Sequence, residues 1–292
     1  MPKITDLLAH GPTFSFEFFP PKNDEEQARL VRTLRELEPL EPSFVSVTYR
    51  GGRSSRERTT RLVTGMLRTT ALTPMAHLIC VAHSRLELAE ILVDMRRGGV
   101  ENLMALGGDP PTDADAGPGE LQHAIELVEL ARAIGGFAIG VAAHPQGHPR
   151  SPDMPGDRRH LAEKLRLADF GVTQFFFRAD DYLRLIDELE PFGLDRPIVP
   201  GIMPITSLGG VKRMAELSGY EVPAEVIGRI ESAGDDPADI RRAGVEVATE
   251  LCQRLLDTGA PGLHFYTLNR STATRDIYAS LGLDRHRAAA AS

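Results

Sequence analysis

The sequence predicts an α/β fold of the (β/α)8 barrel type, with an extra helical segment before the last strand. Three observations carry that expectation. Eight short apolar runs rich in Phe, Val and Ile recur along the 292 residues. Each is followed by a polar or Gly/Pro break and then by a longer stretch with helical periodicity. The first six spacings between run starts are about 26 to 36 residues, the length of a strand, a crossover helix and two loops.

The elements follow in order. Phe14–Phe19 is the first strand, and amphipathic Glu25–Leu37 follows behind Asp24 as a helix N-cap. Phe44–Tyr49 is the second strand and Met75–Cys80 the third, with Ser84 capping a helix over Arg85–Arg97. Leu103–Gly107 and Ile139–His144 are the fourth and fifth. Val172–Phe177 is the sixth, and Asp180 stands ahead of a helix over Asp181–Leu189. Between the seventh strand, Ile198–Pro204, and the eighth, Gly262–Thr267, the spacing nearly doubles. That interval holds a helix-like run around Val211–Ser218, a loop region with Pro223, and a long helix over Asp239–Thr258. A doubly wound open sheet is the rival fold, disfavoured because no GxGxxG follows the first strand. The expected organisation is one barrel over residues 1–285 and a short flexible tail over 286–292.

Composition narrows the function classes. With 42% hydrophobic and 25% charged residues, the chain buries a core without disulfides, and disordered or fibrous classes are excluded. The net charge of −8 repels nucleic acid and anionic membranes, so neither is an expected partner. Cys80 and Cys252 have no ligand-like spacing, and no apolar stretch approaches membrane-spanning length. With no signal-peptide pattern at the N-terminus, the expected compartment is the cytoplasm. Whether the chain is a monomer or a homo-oligomer stays open.

In such a barrel the active site lies at the carboxyl ends of the strands, so polar residues there are the candidates. Glu17 interrupts the apolar run Phe14–Phe19. Burial between Phe16 and Phe18 would raise its pKa toward that of a general acid; alternation with those rings could equally turn it to solvent. Asp109, in Gly107-Gly-Asp-Pro-Pro111, reads as a ligand-binding carboxylate or as a turn residue. Gln174 suits either ligand recognition or a buried core hydrogen bond. Arg270 suits either an anionic substrate tail or a rim salt bridge. His77, His144, His148 and His160 raise the possibility of a metal, but they lack an H-E-x-x-H pattern or carboxylates at ligand spacing, so no metal is expected.

Several stretches together carry a family resemblance. They are Phe14-Ser-Phe-Glu-Phe-Phe-Pro-Pro21, Phe44-Val-Ser-Val-Thr-Tyr49, Ala105-Leu-Gly-Gly-Asp-Pro110, Val141-Ala-Ala-His-Pro145, Thr173-Gln-Phe-Phe-Phe177, Pro200-Gly-Ile-Met-Pro204 and His264-Phe-Tyr-Thr-Leu-Asn-Arg270. In this order, over nearly the whole chain, they resemble the catalytic domain of the 5,10-methylenetetrahydrofolate reductase family, in its single-domain bacterial form. The resemblance implies a (β/α)8 barrel that reduces 5,10-methylenetetrahydrofolate to 5-methyltetrahydrofolate, with NADH or NADPH as reductant and FAD as the usual hydride carrier. It makes Glu17 the general acid that protonates N10 and opens the ring to a 5-iminium cation. Asp109 then binds the amino-pyrimidine edge of the pterin and stabilises the cation, Gln174 binds the pterin, and Arg270 and Leu208 lie on the substrate side.

The flavin positions are mixed. Thr48, His77, Ala142, His148, Asp157 and Lys164 match family positions that line FAD. The family's arginine ahead of the Gly-Asp pair is Gly107 here, tyrosines are His123 and His144, an asparagine is His160, and a substrate-side phenylalanine is Leu208. Glycine cannot replace a forked, permanently charged donor, and lost aromatics remove packing area. These departures leave two readings: His123, His144 and His160 rebuild a different flavin site, or, the expectation taken here, FAD binds weakly or not at all and hydride passes directly from nicotinamide. A folate-binding protein without catalysis, or a reductase of another folate or pterin, are the alternatives.

Overall fold

A computed structural model describes residues 1–49, 53–109 and 119–284, with the backbone alone over 53–57. The strands are β1 (Thr13–Phe18), β2 (Phe44–Val47), β3 (Pro74–Ile79), β4 (Asn102–Leu106), β5 (Ala138–Ala143), β6 (Phe170–Thr173), β7 (Ile198–Val199), β8 (Gly201–Ile202) and β9 (Gly262–Tyr266). They form one parallel sheet in the order β7-β6-β5-β4-β3-β2-β1-β9-β8. Its two end strands are neighbours in sequence, so the ring closes on itself as a TIM barrel. Pro200 explains the division. It has no N–H to give to a ladder, so Ile198–Val199 pairs with β6, Gly201–Ile202 pairs with β9, and the Pro200 carbonyl accepts from His264 N at 2.9 Å. The single seventh run of the sequence therefore joins the sixth and eighth.

The helices are α1 (Ile4–His10), α2 (Asp24–Leu37), α3 (Arg53–Thr69), α4 (Arg85–Arg97), α5 (Ala124–Ile134), α6 (Met154–Leu167), α7 (Ala179–Leu189), α8 (Leu208–Ser218), α9 (Ala224–Glu231), α10 (Pro237–Asp257) and α11 (Thr272–Ser280). Alternation along each strand sorts the core. Phe16, Phe18, Val45, Val47, Leu103, Ala105, Val141 and Ala143 face the helical ring. Phe44, Met75, Met104, Phe170, Val172 and Val199 fill the lower half of the barrel, where α1 closes the end: Ile4 is fully buried among them and its N–H donates to Asn102 Oδ1 at 2.8 Å. A third cluster, around Phe175, Phe177, Met203, Val211, Tyr220 and Val226, lies beneath α8 and α9.

Four local expectations are corrected. Asn23, not Asp24, caps α2, accepting from Glu26 N at 2.9 Å, which leaves Asp24 in the first turn. Asp180 likewise falls inside the first turn of α7. The sixth run ends as strand at Thr173; the three phenylalanines beyond Gln174 pack outside the ladder. The inserted segment holds two helices before α10, because residues read as loop after Pro223 form α9, whose Val226 and Ile230 reach the third core cluster. The tail expected over 286–292 lies outside the described residues.

Candidate active site

Parity places the polar side chains. Ser15 and Glu17 on β1 face the barrel interior, as do Ser46 on β2, His77 on β3, and His264 and Tyr266 on β9. The register sets Ser15 beside His264, and Glu17 beside Ser46 and Tyr266. The resulting cluster is tightly connected. Glu17 Oε2 accepts from Ser46 Oγ at 3.3 Å, lies 3.4 Å from His264 Nε2 and 3.5 Å from His77 Nε2, and its side chain is 12% exposed. Ser15 Oγ is 2.7 Å from His264 Nδ1. A serine hydroxyl donating to Nδ1 leaves the proton on Nε2, directed at Glu17. Phe44 stacks on the His264 ring at 6.0 Å, holding it flat in the interior.

These neighbours, rather than Phe16 and Phe18, set the charge of Glu17. Both rings point to the helical layer, so they do not envelop the carboxylate. Burial pushes its pKa up, but the His264 hydrogen bond, the charges of His77 and His264, and the Ser46 hydroxyl more than offset this and hold it below the usual carboxylate range. The expected upward shift is therefore corrected. Burial pushes the His77 imidazole down, against the pull of Glu17. His77 Nε2 and Thr48 Oγ1 are buried polar atoms without a hydrogen-bond partner among the described residues.

A second group lies at the carboxyl end of β5. His144 follows Gly140 and Ala142 on the interior face, and its Nδ1 is 2.7 Å from the Tyr220 hydroxyl. The His148 ring meets it edge-on at 4.6 Å. The loop is held from beneath by Arg158, which is 3% exposed and donates to the carbonyls of His144 and Pro145, to Asp157 and to Glu188. Asp157 also accepts from His148 N and Ser151 Oγ. Lys164 donates to Ala142 O at 2.8 Å, and burial lowers its pKa to about 8. Burial pushes His144 down to about 3, so it is neutral at physiological pH.

The remaining candidates are dispersed. Asp109 is exposed just beyond β4, next to Gly108, whose carbonyl accepts from Arg150. Gln174 is half-buried at the end of β6, its Oε1 accepting from Phe175 N at 3.0 Å. Arg270 is exposed at the rim beyond β9; Asn269 before it clasps both backbone groups of Phe19. Leu208 opens α8, half-buried against the third core cluster. Among the described residues Gly107 leaves room for a side chain, since a Cβ there would approach Ala124 N alone, at 3.8 Å. His123 is exposed at the start of α5, and His160 is exposed and paired with Glu163 on α6, so neither joins the β5 group. Sequence reasoning missed Ser15, Ser46, His264, Tyr220, Tyr266 and Arg158. Strand alternation flags the first three and Tyr266, because each stands at an interior position beside a residue of the outer core. No local signal marks Tyr220 or Arg158.

Fold and site together define a class: a (β/α)8 barrel enzyme with a carboxylate and two imidazoles gathered in the barrel mouth. Comparison with known proteins is specific. The family model for methylenetetrahydrofolate reductase matches residues 3–282. The chain is 34% identical over 270 residues to the 5,10-methylenetetrahydrofolate reductases of Pectobacterium carotovorum subsp. carotovorum and Escherichia coli (strain K12), covering 92% of this chain and 90% of each relative. It is 33% identical over 297 residues to methylenetetrahydrofolate reductase (NADH) 1 of Arabidopsis thaliana, covering 96% of this chain and 50% of that protein. A solved Clostridium thermocellum protein that binds two copies of 5-methyl-5,6,7,8-tetrahydrofolic acid superposes with a TM-score of 0.66 at 12% identity, covering 96% of this chain and 97% of that one, which is a likeness of fold. The chain belongs to the methylenetetrahydrofolate reductase family and is an oxidoreductase of that family.

Proposed function

We propose that the chain reduces 5,10-methylenetetrahydrofolate to 5-methyltetrahydrofolate, with Glu17 as general acid and with hydride passing directly from a nicotinamide dinucleotide to the folate. The observation that carries this reading is the connected set Ser15, His264 and Glu17 in the barrel mouth. Glu17 gives a proton to N10, the C–N10 bond breaks, and the electron pair on N5 forms the iminium. Hydride adds to the iminium carbon as a methyl hydrogen, and the oxidised dinucleotide leaves. The resting carboxylate is held ionised by its imidazole and hydroxyl partners. Folate displaces the remaining water, strengthens the burial penalty, and so draws a proton onto Glu17 as it binds. Asp109 is assigned to the amino-pyrimidine edge, Gln174 to the pterin, Leu208 to the substrate side, and Arg270 to the carboxylates of the folate tail.

The residues present do not fit a tightly held FAD. Gly107 supplies no side chain, His123 and His160 are exposed outside the β5 group, and the Asp157 carboxylate and the Lys164 ammonium already have protein partners. A site of this kind suits a dinucleotide that leaves on each turnover. Thr48 Oγ1, buried without a hydrogen-bond partner among the described residues, and His77 Nε2, buried without a hydrogen bond though 3.5 Å from Glu17 Oε2, suit the polar edge of a planar ring entering the mouth. The plant relatives are named for NADH. One barrel domain over residues 1–285 is the organisation this reading assumes.

The test is an anaerobic assay of NADH and NADPH oxidation with methylenetetrahydrofolate, using protein purified without added flavin. Glu17→Gln is expected to lower kcat by about 100-fold or more while folate affinity changes only a few-fold. Full activity in Glu17→Gln would remove the general acid. A stoichiometric flavin absorption band in the purified protein would remove the direct transfer.

A further inference from the structure

The inserted segment meets the β5 loop at the end of α8. Gly219, in the left-handed conformation at φ 70°, ends α8 and turns the chain so that Tyr220 N bonds to Ala215 O at 2.8 Å. This stop presses the end of α8 onto the β5 loop: a Cβ on Gly219 would lie 2.8 Å from Pro149 Cγ. It also delivers the Tyr220 hydroxyl to His144 Nδ1 at 2.7 Å. Tyr220 itself is almost wholly buried, packed edge-on against Phe175 at 5.9 Å, so its hydroxyl serves His144 and not the solvent.

The direction of that bond has a consequence. A phenol is a stronger acid than a neutral imidazole, so Tyr220 donates and Nδ1 accepts, which places the remaining ring proton on Nε2. The ring is half-buried, and among the described residues Nε2 has no partner. By strand parity it lies on the interior side of β5, in line with Gly140 and Ala142.

We propose that Tyr220 is a positioning residue that fixes His144 as the Nε2–H tautomer, and that His144 Nε2 donates to an uncharged carbonyl or ring-nitrogen acceptor of the nicotinamide dinucleotide. The inference rests on the direct-transfer reading above and adds a contact to it. A neutral donor selects an amide or a ring nitrogen; a phosphate would call for a cation. The inserted α8–α9 segment thereby becomes a determinant of dinucleotide binding, acting through one phenol on a residue from another part of the barrel.

NADH binding to the full chain, followed by nicotinamide fluorescence, tests this with four proteins. Tyr220→Phe keeps the ring packing and removes only the hydroxyl. It is expected to weaken NADH about 3- to 10-fold, to leave the affinity for 5-methyltetrahydrofolate within about twofold, and to give mixed His144 tautomers by nitrogen NMR. His144→Leu is expected to weaken NADH by about tenfold, and His144→Gln, which restores an N–H donor at similar reach, to return it to within about threefold of wild type. NADH affinity unchanged in both Tyr220→Phe and His144→Leu overturns the inference, as does an equal loss for NADH and folate. A wild-type protein that binds no NADH overturns the underlying reading instead.

Discussion

Glu17 shows what a residue's neighbours in sequence can and cannot say. Its position in a strand of phenylalanines suggests a carboxylate wrapped in rings, yet alternation turns Phe16 and Phe18 to the helices and Glu17 to the mouth. Its charge is decided by Ser46, His77 and His264, which come from three other strands and are invisible to any local window. Because its pKa is held down in the free protein, the protonated fraction falls as pH rises above that value. Accordingly kcat/KM is expected to drop about tenfold per pH unit on the alkaline side of the Glu17 titration, and the limb is expected to vanish in Glu17→Gln; a limb that persists in the variant belongs to another group. His144 gives a stability counterpart. Its folded pKa of about 3 lies below the unfolded value of 6.5, so the unfolded chain binds more protons between the two. Stability is fully present above that window and is lost as pH falls through it, by up to about 1.4 kcal/mol per unit. Urea denaturation at pH 7 and pH 5 is expected to show a smaller difference in His144→Gln than in wild type, and an equal difference would contradict the assignment.

At the scale of elements, legibility follows the range of the interactions that make each one. The box in which Ser84 and Glu87 cap α4 reciprocally is local, and the residues at those spacings announce it. Ser84→Ala is expected to destabilise the fold by about 1 kcal/mol, read from the denaturation midpoint. The start of α2 is less sharp, because Asn23 and Asp24 are adjacent cap formers and only the backbone decides between them. The helix α9 was hidden for a different reason: it has eight residues with Gly228 in the middle, and it persists by packing Val226 and Ile230 under the inserted segment. The β5 loop depends on Arg158, a buried guanidinium whose partners lie on α6, α7 and the loop itself. Its replacement by Met leaves Asp157 and Glu188 without their cation, with an expected loss of about 3–5 kcal/mol in the same measurement.

For the whole molecule, the spacing of eight apolar runs was enough to anticipate a closed barrel, because each run had to be a strand buried on both faces. How the ring closes was not legible. Only the structure reveals that Pro200 divides the seventh run so that one half serves β6 and the other β9. The close approach this needs is visible at Gly201, where a Cβ would collide with the Thr173 carbonyl and lie 2.7 Å from the Tyr266 ring. The same closure brings β9, and with it His264, beside β1, completing the cluster around Glu17. The net charge of −8 gives an anionic substrate no long-range attraction, so the proposed reading leaves anion recognition to single cations, with Arg270 assigned to that role at the rim. The central claim is that a ring opened by Glu17 takes hydride straight from nicotinamide. It is tested most directly with NADH deuterated at the transferred position of C4, in ordinary water, followed by mass analysis of the methyl group of 5-methyltetrahydrofolate. Retention of the deuterium in the methyl group is the expected result; its replacement by solvent hydrogen, as an exchanging carrier between the two substrates requires, would contradict the account.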